Sequence, residues 1–497
     1  MARINPRYAL ALLAGALGSL AFAPLGAYPL ASLGLAILFA LLQQPGKVRP
    51  FVAGWLYGLG FFGVGVSWVY VSLHTYGEMA APLALLATFL FCALLATFPA
   101  LAGGMQDRRK AGGVVQLLLL LPAAWTLLEW VRGWIFTGFP WLAIGYSQVP
   151  DSPFAGYAPL LGVYGVSFVT ALTAGALAWV WQSRASLATA SRGMMLVLAL
   201  IAAGGALKTI NWTRPLGAPL SVALVQGNIP QQIKWEPEAA AASLKVYRQL
   251  AESTRARLVV LPETALAIFF SNLPETYKNE LRRIGQERDG DVLAGVPTGN
   301  SSGPYLNSVV SFGAAPTQFY HKHHLVPFGE FIPPGFGWVL QLLHIPLSDF
   351  SRGGARQKPL SVAGQEVAVD ICYEDAFGEE IIRALPSATL LVNVSNDAWF
   401  GDGFAARQHR QISQMRALET GRMMLRATNT GATAIIDVKG RVVGELDLFR
   451  RGILQGRAQG YRGMTPYARW GNVPVVAGLA ILLVVAGLGQ RFVKRRR

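Results

Sequence analysis

Charged residues are scarce in this chain of 497 residues. They make up 14% of it, whereas soluble domains contain about 25%. Hydrophobic residues make up 53%, and the mean hydropathy is +0.38. So few charges cannot solvate so apolar a chain, which disfavours both intrinsic disorder and a simple cytosolic enzyme. The net charge is nevertheless +16, and in a chain this hydrophobic a basic balance indicates a membrane rather than nucleic acid as partner.

Cysteine is almost absent as well. The chain contains only Cys92 and Cys372 and has no CxxC pair, so neither a zinc ribbon nor a disulfide framework is available. A single cysteine within a domain is usually a small buried hydrophobic residue. A catalytic interpretation of either cysteine therefore needs support from its neighbours in the sequence.

Apolar runs, in contrast, are abundant. Eight of them are predicted to be membrane-spanning helices, several of them short, because a span needs roughly 20 mostly apolar residues. The seventh is the weakest, since its apolar run ends at Leu207 and Lys208 follows. The eight predicted spans are residues 8–23, 28–42, 51–73, 82–101, 114–130, 158–181, 193–212 and 473–489.

The loops between these spans differ in charge from one side to the other. One side carries fourteen cations, whereas the short loops of the opposite side carry only Arg132. The positive-inside rule makes the cation-rich side cytoplasmic, and both termini with it. An even number of spans is then required. The fourteen cations are Arg3, Arg7, Lys47, Arg49, Arg108, Arg109, Lys110, Arg184, Arg192, Arg491, Lys494, Arg495, Arg496 and Arg497.

The N-terminal run could also be a cleavable signal peptide that ends at Ala21-Phe22-Ala23. Cleavage there would leave Pro24 at the new N-terminus, which is a poor arrangement. A retained anchor is therefore favoured, and the placement of the large domain is the same in either case.

The composition changes abruptly after residue 214. Residues 215–469 carry 26 cations and 23 anions, and their strand-like and helix-like stretches alternate. This predicts three regions: a transmembrane domain of seven helices (1–214), an external α/β domain (215–469), and an eighth helix with a basic tail (470–497). The predicted strands are 221–226, 258–261, 292–296, 367–371 and 390–394, and the predicted helices are 238–252, 274–288 and 405–425.

Three residues able to do chemistry stand near the ends of strand-like stretches in the α/β domain. Glu263 follows Leu258-Val-Val-Leu261, Lys322 lies in a His-rich stretch, and Cys372 directly follows Val367-Ala-Val-Asp-Ile371. Functional groups of α/β sheets gather at the carboxyl ends of strands. A thiol is mostly protonated at neutral pH, so Glu263 could take its proton, while Lys322 could stabilise the carboxylate or an oxyanion. Such a site would form a thioester and pass the acyl group to a second nucleophile.

These residues resemble the Glu-Lys-Cys triad of the nitrilase superfamily. Together with eight predicted spans, the chain is similar over its whole length to the membrane-bound apolipoprotein N-acyltransferase family. The stretches that carry the resemblance are Pro262-Glu263, Val225-Gln-Gly-Asn-Ile-Pro230 followed by Trp235, Lys322 with His323-His-Leu-Val-Pro-Phe-Gly-Glu330, Cys372-Tyr373-Glu374, and Ser395-Asn-Asp-Ala-Trp399-Phe400.

The resemblance implies an αββα sandwich on the periplasmic side of a Gram-negative inner membrane. It implies that Cys372 takes the sn-1 acyl chain of a phospholipid such as phosphatidylethanolamine. The thioester would then acylate the N-terminal amine of the diacylglyceryl-cysteine of an apolipoprotein, and no cofactor would be needed. Glu263 would be the base and Lys322 the electrostatic stabiliser. The supporting residues would be Glu330, Tyr373, Glu374, Trp235, Trp399 and Trp338.

Two other functions compete with this interpretation. A membrane-tethered amidase would use water as acceptor, but eight spans would bring it no advantage. A transporter should carry ionisable groups within its spans, which hold little beyond Glu129.

Two polar groups in the α/β domain have simpler explanations than catalysis. A metal site at His321 and His323 is improbable, because no acid or cysteine nearby completes the spacing. Asp375, Glu379 and Glu380 are predicted to be the solvated first turn of a helix, where the helix dipole favours acidic residues.

The nearly uncharged run 331–347, which includes Trp338, stands out within the polar domain. Ordinary core packing is one explanation for such a run. The alternative is a mobile flap at the bilayer surface that admits acyl chains to Cys372, and the Pro333-Pro334-Gly335 sequence supplies irregular backbone suited to a loop.

Overall fold

The computed structural model describes residues 5–44, 46–105, 113–183, 186–300, 303–333, 335, 337 and 349–495, with side chains as far as residue 486. The chain forms two compact units. The first comprises Met1–Ser67, Leu85–Ile210 and Trp470–Arg497, and the second comprises Trp68–Ala84 and Asn211–Arg469. Trp338 and most of the predicted flap lie outside the described residues.

Helices occupy all eight segments that the sequence predicts to span a membrane. Among the described residues, three are long and apolar enough to cross one, and a fourth is added if Pro50–Gly65 and Val69–Tyr76 form one span. The prediction of eight spans is therefore not confirmed, although a membrane protein is supported. The three long helices are Ala81–Gly104, Pro153–Gln182 and Leu187–Thr209. The other helices of these segments are Pro6–Ser19, Pro29–Leu42, Leu121–Arg132 and Val473–Arg495.

Close helix packing in the first unit depends on small residues. A Cβ atom added to Gly15 would lie 1.9 Å from the carbonyl oxygen of Tyr57, and one added to Gly60 would lie 2.0 Å from that of Leu12. Any larger residue at either position would force the helices that carry them apart. Small residues at such crossings are typical of helices that pack within a membrane.

The second unit contains twelve strands among its described residues. They are β1 Arg214–Gln226, β2 Leu258–Val260, β3 Asp291–Gly299, β4 Tyr305–Gly313, β5 Phe319–His321, β6 Leu360–Val362, β7 Gln365–Ile371, β8 Leu390–Ser395, β9 Met424–Thr428, β10 Ala434–Ile436, β11 Val442–Glu445 and β12 Gly452–Arg462. They form two six-stranded mixed sheets, with the orders β12-β1-β2-β3-β4-β5 and β11-β10-β9-β8-β7-β6. Strands β1, β2 and β3 run parallel, as do β7, β8 and β9.

The two sheets pack face to face, because alternate residues of each central strand enter one shared core. Val222 and Leu224 of β1 lie in that core with Val367 and Val369 of β7. The intervening residues, such as Val225, face helices on the outside of the first sheet. This period of two is the pattern of strands buried on both faces. The αββα sandwich is thus confirmed. Its outer helices include Pro237–Glu252, Glu275–Gln286 and Ala405–Thr420.

One predicted helix is too long. The prediction of 405–425 is correct as far as Thr420, but Gly421 has φ of 63° and ends the helix in a left-handed conformation. Glycine favours this conformation because it has no Cβ atom. Leu425 then lies in β9, a strand that the apolar pattern did not separate from the helix.

Candidate active site

The three residues of the predicted triad follow three different strands. Glu263 comes three residues after β2, Lys322 directly after β5, and Cys372 directly after β7. β2 and β7 belong to opposite sheets of the sandwich. The carboxyl ends of these strands therefore carry all three side chains, as expected for functional groups of an α/β fold.

Lys322 lies between two carboxylates. Its Nζ is 3.3 Å from Oε1 of Glu263 and 2.8 Å from Oε1 of Glu330. The lysine side chain is only 1% exposed. Asn307 of β4 donates from Nδ2 to the same two oxygens, at 2.7 Å and 3.0 Å. We call Glu263, Asn307, Lys322 and Glu330 the lysine cluster, and it carries one cation and two carboxylates.

The second oxygen of each carboxylate is also held in place. Oε2 of Glu263 accepts a hydrogen bond from the backbone N–H of Asn396, just after β8, at 2.9 Å. Oε2 of Glu330 accepts from the backbone N–H of Val326 at 2.9 Å. Both carboxylates are therefore oriented by the backbone of the scaffold, which is what a pre-organised site requires.

The pKa values of Lys322 and Cys372 are shifted in ways that fit acid–base chemistry. Burial alone would lower the pKa of Lys322, but Glu263 and Glu330 outweigh it and raise the pKa above its usual value. Burial and the Glu263 carboxylate raise the pKa of Cys372 well above its usual value, and Lys322 acts in the opposite direction. The resting thiol is thus protonated beside an anion that could accept its proton.

Comparisons with known proteins identify the family of the chain. A family model described as the apolipoprotein N-acyltransferase N-terminal domain matches residues 14–176, and one described as carbon-nitrogen hydrolase matches residues 221–467. An apolipoprotein N-acyltransferase of Nitrosomonas europaea is 50% identical, with 96% of each chain covered. One of Methylococcus capsulatus is 45% identical over 98% of this chain and 96% of its own.

The chain belongs to the apolipoprotein N-acyltransferase family. Family membership makes it an acyltransferase and places it in lipoprotein biosynthesis. A solved carbon-nitrogen hydrolase of Helicobacter pylori is 17% identical, with a TM-score of 0.36, and covers 48% of this chain and 88% of its own.

Glu374 accepts four hydrogen bonds at this candidate site. Its Oε1 accepts from the backbone N–H groups of His323 and His324, at 2.7 Å and 3.1 Å. Its Oε2 accepts from the Tyr320 hydroxyl at 3.0 Å and from the backbone N–H of Ile371 at 2.7 Å. These donors lie in two separate stretches of the chain.

The carboxylate of Glu374 therefore ties the segment that carries Lys322 to the turn that carries Cys372. Burial raises the pKa of Glu374, while Lys322 and the backbone N–H donors lower it, and the net shift is upward. A buried acid with four donors is well suited to hold these two segments in a fixed relative position.

The predicted aromatic residues have different surroundings. Tyr373 is buried and packs edge-on against Phe377, with ring centroids 5.1 Å apart. Trp399 is partly buried and lies near Tyr76, with centroids 6.1 Å apart. Trp235 is partly buried.

Lys234, the neighbour of Trp235, is a polar group of the site that the sequence did not indicate. Its side chain is buried, and Nζ donates to Oγ1 of Thr264 at 2.5 Å and to the backbone oxygen of Glu263 at 3.4 Å. Burial lowers the pKa of Lys234 to about 8, although Glu263 acts to raise it. A lysine within a mostly polar turn carries no sign of burial in the sequence.

A second cluster of ion pairs, which was not predicted from the sequence, lies next to the backbone of Cys372. His409 is 2.9 Å from Asp375 and 3.0 Å from Asp397, and Arg426 is 3.3 Å and 2.8 Å from the same two carboxylates. All four are buried. We call Asp375, Asp397, His409 and Arg426 the arginine–histidine cluster.

This cluster corrects one prediction about the acidic residues after Cys372. The prediction that Asp375 is solvated is wrong, because its charge is balanced by cations inside the protein. Glu379 is exposed, as predicted, and Glu380 is partly buried with an oxygen 3.3 Å from Nδ1 of His324. The sequence held one signal of the cluster. His409 and Ser413 are polar residues one turn apart on the predicted helix 405–425, and the structure buries both of them.

The sulfur, carboxylate and imidazole ligand atoms of Cys372, Asp397 and His409 lie within 4.8 Å of one another. Such a set could in principle hold a metal ion. However, both ring nitrogens of His409 face hydrogen-bond acceptors, and Asp397 is paired with Arg426. The cluster is therefore organised as an ion-pair network.

The two histidines considered for a metal in the sequence have other contacts. Nδ1 of His321 lies 2.8 Å from the hydroxyl of Ser308, and Nδ1 of His323 lies 2.9 Å from the backbone oxygen of Gly353. These contacts explain both rings as parts of the local hydrogen-bond network.

Proposed function

We propose that the protein transfers the sn-1 acyl chain of a phospholipid, through a thioester on Cys372, to the N-terminal amine of the diacylglyceryl-cysteine of an apolipoprotein. Phosphatidylethanolamine is the proposed donor. The observation that carries this proposal is the buried Lys322 held between Glu263 and Glu330, together with the partly buried Cys372. Family membership supplies the class of reaction, and the site supplies the residues that would perform it.

In the first half-reaction, Sγ of Cys372 attacks the ester carbonyl and Glu263 accepts the thiol proton. Lys322 stabilises the oxyanion of the tetrahedral intermediate. When that intermediate collapses, the C–O bond of the ester breaks and Glu263 returns the proton to the leaving lysophospholipid. The acyl group remains on Cys372 as a thioester.

In the second half-reaction, the amine of the acceptor attacks the thioester. Glu263 accepts a proton from the amine, and the C–S bond breaks to release the amide and the Cys372 thiolate, which regains the proton. This ping-pong order uses one base for both steps. The base must then be fixed in position, and its hydrogen bonds from Asn396 and Asn307 support that role.

The supporting residues divide into two groups under this proposal. Glu330 neutralises and orients Lys322, and Glu374 keeps Lys322 and Cys372 at a constant separation. The other group consists of Tyr373, Trp235, Trp399 and Trp338, whose aromatic rings would supply apolar surface for the acyl chains.

We further propose that the domain of residues 215–469 is periplasmic and that both termini are cytoplasmic. The fourteen cations on one side of the predicted spans support this orientation. The membrane would be the inner membrane of a Gram-negative bacterium, which would contain both the phospholipid donor and the diacylated acceptor.

The decisive experiment uses the two cysteines as a matched pair. The purified full-length protein is incubated with phosphatidylethanolamine alone, and adducts are located by mass spectrometry. We expect an acyl adduct on Cys372 in the wild type and in Cys92→Ala, and none in Cys372→Ala. An active preparation that shows no adduct on Cys372 would refute the mechanism.

The second candidate, an amidase that uses water as acceptor, is tested with the trapped thioester. A diacylated lipopeptide should discharge it at least about tenfold faster than buffer alone, a difference of about 1.4 kcal/mol in the barrier, because the amine is the proposed acceptor. Discharge by buffer at the same rate, with release of ammonia from small amides, would favour the amidase instead.

A further inference from the structure

His409 meets acceptors at both of its ring nitrogens. Nδ1 lies 3.0 Å from Oδ1 of Asp397, and Nε2 lies 2.9 Å from Oδ1 of Asp375 and 3.1 Å from the backbone oxygen of Cys372. Each nitrogen must carry a proton to make these contacts, so the ring is an imidazolium. Burial and Arg426 lower the pKa of His409, but Asp375 and Asp397 outweigh them and raise it to about 9.

The Cys372 carbonyl that His409 contacts belongs to an unusual backbone. Cys372 has φ of 55°, in the left-handed region that non-glycine residues seldom adopt. Such a conformation persists only where the surroundings hold it. Two side chains hold this one: Nε2 of His409, and Nδ2 of Asn393, which donates to the same oxygen at 3.0 Å.

We propose that His409 is a positioning residue, whose Nε2–H fixes the carbonyl of Cys372 and thereby aims Sγ at the substrate. The charged groups that face His409 are Asp375, from the turn after β7, Asp397, from the turn after β8, and Arg426 of β9. Together with the charged His409 they form a neutral cluster, so the ring is held in place without bringing net charge to the thiol. The part of this inference that concerns acyl transfer rests on the proposed function, whereas the aim of Sγ does not.

Two substitutions at His409 test the contributions of the two ring nitrogens one at a time. The side-chain amide of glutamine reaches the place of Nε2 and keeps a donor toward the Cys372 carbonyl, whereas that of asparagine reaches the place of Nδ1 and keeps one toward Asp397. Both remove the positive charge. H409Q therefore keeps a donor toward the Cys372 carbonyl and Asp375 and loses the one toward Asp397, whereas H409N does the reverse. Each variant serves as the control of the other, because both lack the charge and only H409Q can contact the Cys372 carbonyl.

The experiment measures alkylation of Cys372 by iodoacetamide at neutral pH, in the full chain carrying Cys92→Ala so that a single thiol reacts. We expect H409N to slow alkylation by about tenfold, and H409Q by less than about threefold, since only H409Q keeps a donor toward the Cys372 carbonyl. The thermal midpoints of the two variants should be similar. Equal slowing of both variants, or no slowing of either, would overturn the proposal.

Acyl-thioester formation from phosphatidylethanolamine is measured on the same samples. We expect H409N to slow thioester formation more than H409Q does. If the wild type forms no thioester while alkylation still separates H409N from H409Q, the proposed function fails and the inference about His409 stands. If neither variant folds, nitrogen NMR of the wild type decides: a slowly exchanging imidazole that is doubly protonated at neutral pH supports the proposal, and a neutral ring overturns it.

Discussion

Two buried ion clusters lie beside the same cysteine, and they differ in charge balance. The lysine cluster has two carboxylates for one cation, whereas the arginine–histidine cluster has two of each. The lysine cluster therefore carries a net negative charge, whereas the charges of the arginine–histidine cluster cancel. Under the proposed function, the first cluster takes part in the chemistry and the second holds the turn that carries Cys372.

The largest expected effect is on the base. Glu263→Gln should slow acyl-thioester formation by about 100-fold or more, because general base catalysis contributes about 10²–10⁴. The amide oxygen can still accept the N–H of Asn396, and Lys322 keeps its contact with Glu330 at 2.8 Å. The thermal midpoint should therefore fall less than it does when a cation is removed from the arginine–histidine cluster. Single-turnover thioester formation and thermal unfolding measure the two quantities. A variant that loses stability and retains its rate would reverse the roles assigned to the two clusters.

A substitution in the arginine–histidine cluster should lower the stability of the protein rather than act directly on the rate. Arg426→Met leaves Asp375 and Asp397 with one cation between them, and breaking a buried pair costs about 3–5 kcal/mol. We expect a markedly lower thermal midpoint of unfolding. Arg283→Met is the matched control, since Arg283 and its partner Glu287, 3.0 Å away, are both more than half exposed, and such a pair contributes below about 1 kcal/mol. Equal decreases in the thermal midpoint of Arg426→Met and Arg283→Met would contradict the prediction.

The most gradual effect is a pH dependence at Lys234, which lies beside the lysine cluster, and it develops over more than two pH units. Its pKa of about 8 in the folded chain lies below its ordinary 10.5, so the unfolded chain binds more protons between these values and stability rises with pH there. The wild type should therefore gain up to about 3 kcal/mol relative to Lys234→Met across this range of pH. Thermal midpoints of both proteins test it, and a constant difference between them would contradict the lowered pKa.

The arginine–histidine cluster depends on pH with the opposite sign. The pKa of His409 is raised from 6.5 to about 9, so its contribution is complete below the lower value and is lost as the pH rises through about 9. The surroundings of Lys234 and of His409 can thus be told apart by the direction in which pH changes the stability of the protein.

Much of the sandwich could be predicted from the sequence, because its buried strands read as short apolar runs such as Leu390–Ser395. The short edge strands were not predicted. Three residues such as Phe319–His321 carry too little pattern to identify a strand, and they are defined only by pairing with β4. The position of Lys322 depends on that pairing, since its backbone N–H donates to the carbonyl of Asn307 at 2.8 Å.

Composition, periodicity and local motifs are properties of neighbouring residues. The apolar character of the chain, its α/β domain and the candidate residues Glu263, Lys322 and Cys372 therefore follow from the amino-acid order alone. Which charged residues pair with one another could be seen only in the folded structure. Asp375 and His409 are 34 residues apart yet lie in contact, and Glu263 meets Asn396 across 133 residues. Whether an acidic residue is solvated or buried with a partner depends on such distant pairings, because the free energy of a charge is set by its surroundings in space.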